Sequence, residues 1–196
     1  RELVRPLKRD GNKKFGFKPV FSLESGFVLI IVTEELHMTI KIRAMQPSDE
    51  AAVVDICYVT SPWGRDGREN LRHLVALRWC LHYLWHETEH CHVAVDTGLE
   101  NKIVGYLICA PDTERQEAGF RQSTLHLVKA EIKRLAPRVG IERAKLEKEF
   151  FFLPTRNMGA TARKVAEDYP AHLHIDIYPD HHRRGIGRLL FAAHGT

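Results

Sequence analysis

The sequence predicts an α/β fold, a sheet flanked by helices, and three stretches carry that expectation. Ala171–Ile177 alternates strictly, with Leu173, Ile175 and Ile177 on one face and His172, His174 and Asp176 on the other, which is the period of a strand. From Arg68 to about His90, Leu74, Leu77, Leu81 and Leu84 recur at spacings of three and four, the stripe of a helix that packs on a sheet. Two short apolar runs, 91–95 and 103–109, flank a turn at Thr97–Asn101 and read as an antiparallel hairpin.

In chain order, residues 1–37 read as an N-terminal extension outside the domain. They begin at Arg1 and carry a basic, turn-rich head that includes Lys13 and Lys14, read as a solvated charge run. A partner-docking strand is the functional alternative for this segment. Its apolar run Phe27–Val32 falls far short of the roughly 20 residues a membrane helix needs. The domain proper is expected over 38–196, opening with an alternating strand at 39–43. Gln46–Glu50 reads as a helix start that continues over 51–58, with Ser48 able to cap it and Asp49 and Glu50 in its first turn where the helix dipole favours acids. Pro62–Gly67 ends that helix, and the leucine-striped helix and the hairpin follow.

A helical insertion is expected over about 112–170, because about 60 residues is far beyond an ordinary loop. Its helices are predicted at 122–135, stopped by Pro137, at 141–151 and at 160–168. The alternating strand comes next, closed by Tyr178-Pro179-Asp180, since proline cannot donate to a ladder.

Composition bounds the function. Hydrophobic residues make up 44% and charged residues 28%, the balance of a soluble globular chain, and the net charge of +4 is mild. The basic residues are dispersed with no interleaved stacking aromatics, which argues against nucleic acid as partner, and no span long enough for a membrane is present. Cys57, Cys80, Cys91 and Cys109 lie in apolar or helical contexts with no leader ahead of them, and read as reduced thiols of a cytoplasmic protein.

The chemistry concentrates after the strand, in His181-His182-Arg183-Arg184-Gly185-Ile186-Gly187 and the apolar helix that follows. Two glycines one residue apart let backbone amides gather in one concavity, and a helix N-terminus adds its positive end, a combination that suits phosphate. The three-glycine dinucleotide fingerprint does not fit, because its spacing is missing and no βαβ unit follows.

Strand, proline, Arg183-Arg184-Gly185-Ile186-Gly187 and a Leu189-Leu190 helix together closely resemble the acetyl-CoA-binding segment of the GCN5-related N-acetyltransferase (GNAT) superfamily. The superfamily pattern begins with Gln or Arg, where this chain has His182. The order of elements over 38–196 is similar as well. The resemblance implies a GNAT-type mixed central sheet flanked by helices, with the helical insertion before the central strand. Members of that superfamily continue beyond the helix in which this chain stops at Thr196, so the resemblance implies a fold incomplete at its C-terminus. A narrower resemblance rests on Tyr169-Pro170 and His172-Leu173-His174-Ile175-Asp176-Ile177. It points to the acetyltransferase-like domains related to the C-terminal regions of O-GlcNAc hydrolases and to their bacterial relatives.

The resemblance implies acetyl-CoA as cosubstrate and transfer to a primary amine of a protein or small molecule, without a covalent enzyme intermediate. By position, Ile175 and Ile177 would lie along the pantetheine arm, and His182, Arg183, Arg184, Gly185, Ile186 and Gly187 would hold the pyrophosphate. His172, His174 and Asp176 are the candidates for the base, and a histidine pKa near 6.5 suits that task. The alternative for these three is buried, hydrogen-bonded structure. Cys91 and Cys109 as acyl carriers are disfavoured by their strand contexts. A non-catalytic acyl-CoA binder is the alternative function, and a homodimer is compatible with the sequence. His86-Glu87-Thr88-Glu89-His90 matches the zinc-hydrolase pattern, but it sits at a helix end with no evident third ligand, so no metal is expected.

Overall fold

The computed structural model describes residues 39–139, 145, 146, 150, 164 and 167–194. They lie within one compact unit, Thr39–Thr196. Strands β1 (Ile40–Ala44), β2 (His92–Asp96), β3 (Lys102–Ala110) and β4 (His172–Ile177) form one antiparallel sheet in the order β1-β2-β3-β4. Helices α1 (Glu50–Thr60), α2 (Pro62–Arg65), α3 (Arg72–Trp79) and α4 (Leu81–His86) separate β1 from β2. Helices α5 (Thr113–Ser123) and α6 (Leu125–Val139) follow β3, and α7 (Ile186–His194) follows β4.

The sheet is covered on both faces. Val53, Ile56, Leu74, Leu77, Leu81, Tyr106 and Ile108 belong to a large core between the sheet and the helices of α1 to α6. On the other face Ile186 and Leu190 of α7 meet Leu107, Cys109 and Ala94 in a second, smaller core. Burial of this size, at roughly 25 cal/mol per Å² of apolar surface, is what holds α7 and its preceding turn against β4.

The register places the alternating strand. Gly105 lies opposite Ile177, Tyr106 opposite Asp176, Ile108 opposite His174 and Ala110 opposite His172. Ile175 and Ile177 therefore pack with the α7 core, as the alternation predicts. β4 was expected at the sheet's centre, but it forms the edge of the four described strands, with β3 as its neighbour.

Several local expectations shift. Ser48 does not cap α1; a 3₁₀ turn at Pro47–Asp49 leads into it, and Asp49 instead reaches back to the Gln46 N–H at 2.8 Å while gripping Arg43 at 2.7 and 2.8 Å. The single helix expected from Arg68 breaks at Cys80, whose φ of −130° leaves helical geometry. The bend keeps Leu74 and Leu77 of α3 and Leu81 and Leu84 of α4 all buried. Pro137 does not stop α6, which runs two residues beyond it to Val139. α5 went unpredicted because it is largely polar: Phe120 is its buried apolar anchor, and Asp112 caps it by accepting from the Arg115 N–H at 2.9 Å. The helices expected at 141–151 and 160–168 lie outside the described residues apart from isolated positions.

Candidate functional site

The turn between β4 and α7 is built from three local constraints. Pro179–His181 forms a single 3₁₀ turn, anchored by the His181 N–H on the Tyr178 carbonyl at 2.9 Å. His181 is buried, hydrogen-bonded through Nδ1 to Asp180 at 2.7 Å, with Nε2 3.6 Å from the carboxylate of buried Asp96 at the end of β2. Tyr178 donates its hydroxyl to Asp55 of α1, which also pairs with Arg72. Burial pushes the Asp55 carboxyl up, but the bonds from Tyr178 and Arg72 more than offset it and hold the group below its usual range.

Beyond these anchors the backbone opens. Arg183 and Gly185 both adopt left-handed conformations, with φ of +62° and +77°. A side chain at Arg183 tolerates this at some cost, whereas glycine meets it freely. Among the described residues, the N–H groups of Arg183, Gly185, Ile186 and Gly187 have no hydrogen-bond partner, while the Gly185 carbonyl accepts from Arg188 and Leu189 at 3.0 and 3.2 Å. Space beside Gly185 is empty to 4 Å, and beside Gly187 the nearest atom is Ile177 Cδ1 at 3.7 Å. His182, Arg183, Arg184 and Arg188 are exposed. The His182 side chain points back to its own strand, Nε2 lying 2.8 Å from the Ile177 carbonyl oxygen. The result is a row of unspent amides at the start of a nine-residue helix with guanidinium groups around it.

The opposite face of β4 carries the three polar candidates, and their surroundings differ. Asp176 is half-buried and accepts from the Tyr106 hydroxyl at 2.5 Å. His172 uses both ring nitrogens, Nε2 with the Tyr83 hydroxyl at 2.5 Å and Nδ1 with Thr113 Oγ1 at 2.7 Å. Burial, reinforced by the charge of nearby His174, lowers the His172 pKa, and burial raises that of Tyr83. His174 is exposed, its ring 6.1 Å from that of Trp79. Tyr83, Tyr106 and Thr113 were not singled out from the sequence; they lie 59 to 89 residues from their partners, and only strand pairing brings them together.

The remaining motifs resolve into packing. α4 ends at His86, and Glu87 leaves helical geometry at φ −134°, so His86 and His90 do not share a helix face. Buried Glu87 accepts from Arg115 at 2.7 Å, and among the described residues no cluster could hold a metal ion. All four cysteines are free thiols and buried. Burial pushes Cys91 up to about 12 and raises Cys109 as well, so both stay protonated and poorly nucleophilic near neutrality.

No family model matches the chain, and no curated protein matches it. Among solved structures the chain is similar to the crystal structure of SsHAT, with 28% sequence identity and a TM-score of 0.61 over 80% of this chain and 75% of that one. The likeness supports an acetyltransferase fold. No helix among the described residues is long and apolar enough to cross a membrane.

Proposed function

We propose that the chain is an acetyl-CoA-dependent N-acetyltransferase of the GNAT type that acetylates a primary amine. The observation that carries this reading is the set of unspent amides at Arg183, Gly185, Ile186 and Gly187 on open ground at the α7 N-terminus. The residues fit a diphosphate: four free N–H donors, left-handed backbone at Arg183 and Gly185, and a helix dipole behind them. His182, Arg183, Arg184, Gly185, Ile186 and Gly187 would hold the pyrophosphate, and Ile175 and Ile177 would line the pantetheine arm. When bound, acetyl-CoA supplies an activated thioester.

The chain's own residues then have defined tasks. Arg183, Arg184 and Arg188 add positive charge around the amides. Tyr178 and His181 brace the turn from below through Asp55, Asp180 and Asp96. His172, His174 and Asp176 are the candidates for the group that deprotonates the acceptor amine. The narrower kinship with O-GlcNAc hydrolase-related domains, a cytoplasmic location, a protein or small-molecule amine as acceptor, and the absence of nucleic-acid and membrane partners belong to the same proposal.

Calorimetry with acetyl-CoA tests it. Wild type binds, and Gly185→Glu, which sets a carboxylate against the phosphates, weakens binding at least about tenfold, or 1.4 kcal/mol. Equal affinity in a folded Gly185→Glu variant would remove the turn from the site. Binding without turnover would leave an acyl-CoA-binding protein in place of an enzyme.

A further inference from the structure

Three polar groups share the inner face of β4, and the hydrogen bonds around them separate their roles. Thr113 donates its hydroxyl proton to the Pro170 carbonyl at 2.6 Å. Its oxygen can then only accept from His172 Nδ1, which must carry the proton. A neutral imidazole with Nδ1–H offers Nε2 as acceptor, and Tyr83 fills that position with its hydroxyl. His172 is thus locked as one neutral tautomer, with its lone pair spent inside the protein. Asp176 is likewise engaged, by the Tyr106 hydroxyl. His174 stands between them in sequence and on the same face, exposed, with no hydrogen bond among the described residues and the Trp79 indole beside its ring. At about 3.3 Å per residue, it lies about 13 Å back along the strand from Tyr178, where the amide-lined turn begins.

We infer that His174 is the group that takes the proton from the acceptor amine, and that His172, clamped by Thr113 and Tyr83, is a positioning residue that shapes β4 beside it. The inference rests on the transferase reading above. The incoming ammonium gives one proton to the His174 imidazole, which passes it to solvent. The freed nitrogen lone pair then forms the C–N bond to the acetyl carbon as the C–S bond breaks, and the second proton leaves nitrogen and ends on the departing coenzyme sulfur.

The test combines three measurements. Acetyl-CoA affinity of His174→Ala and His174→Gln stays within roughly twofold of wild type, while turnover with a panel of a lysine peptide, glucosamine and spermidine falls about 10²- to 10³-fold. Added imidazole restores part of the His174→Ala loss, and His172→Gln loses less than about tenfold. Nitrogen-15 NMR of the free protein at neutral pH shows His172 as a single Nδ1–H tautomer. His174 variants with near-normal turnover, a loss in His172→Gln as large as theirs, or His172 found as the Nε2–H form each overturn the inference and leave the transferase reading standing. A wild type that binds acetyl-CoA yet acetylates none of the panel removes both.

Discussion

At the scale of single residues, burial and hydrogen bonding decide which titratable groups are structural. His82 is buried in the core beside Phe120, its Nδ1 2.9 Å from Thr124 Oγ1 and its ring 4.8 Å from that of His86. Burial, with a smaller push from His86, lowers its pKa to about 4. The unfolded chain, with histidine near 6.5, binds this proton first on acidification, so the folded state loses stability as pH falls from about 6.5 to about 4. The loss is at most about 3 to 4 kcal/mol, from 1.4 kcal/mol per unit over that interval. Urea unfolding across that window should show the slope in wild type, and His82→Gln should reduce it, leaving the part contributed by His172 and His92, whose pKa values burial also lowers. An equal slope in the variant would assign the effect elsewhere. Asp49 does not blur the window: the Arg43 and Gln46 bonds outweigh its burial and hold its pKa low, so its contribution is lost only below the ordinary carboxylate range near 3.9. None of this was legible in the sequence, where His82 is one histidine among twelve. His172, His174 and Asp176, by contrast, were identifiable as a polar row from alternation alone, but not the hydrogen bonds that tell them apart.

At the scale of elements, the β3–β4 pair is where the sheet meets the candidate site. A Cβ on Gly105 would stand 2.9 Å from Ile177 Cγ1 and 3.1 Å from the Asp176 carbonyl oxygen. Glycine here permits close approach of β4, and Ile177 in turn packs toward α7. Gly105→Ala should destabilise the protein by about 1–3 kcal/mol, as overpacking does. It should also weaken acetyl-CoA binding, because the displaced strand carries the turn with it. Chemical denaturation and calorimetry measure the two effects, and an unshifted midpoint would show that β4 yields freely. Elements with strong periodicity were readable: the hairpin and β4 lie within a residue or two of expectation, and the leucine stripe is helical, though over 72–79 and 81–86 where one helix was expected from 68 to about 90. Those built on tertiary contact were not. The bend at Cys80 leaves no proline or glycine as a signal, and α5 is held by a cap, the buried Phe120 and an ion pair from Arg115 to Glu87 with no apolar stripe.

At the scale of the molecule, two cores on either face of one sheet bury every cysteine. Raised thiol pKa values at Cys80, Cys91 and Cys109 follow from that burial together with neighbouring thiols and carboxylates, and from the hydrogen bond with Cys57 in the case of Cys80. A disulfide reagent should therefore label the native protein only as fast as the fold opens, and all four thiols at once in denaturant. A thiol that reacts at the free-cysteine rate without denaturant would contradict the packing described, and would reopen acyl-carrier chemistry for Cys91 or Cys109.

By itself the sequence determined the α/β class, the alternating strand and the glycine turn, because period, proline and glycine act locally through backbone sterics and need no distant partner. Only the tertiary structure decided that the amides of the turn are left unspent and that α7 and β4 share a core. It alone showed that Tyr83, Tyr106 and Thr113 close on the polar face of β4, because those contacts join residues far apart in the chain, and no local pattern encodes the register that brings them together.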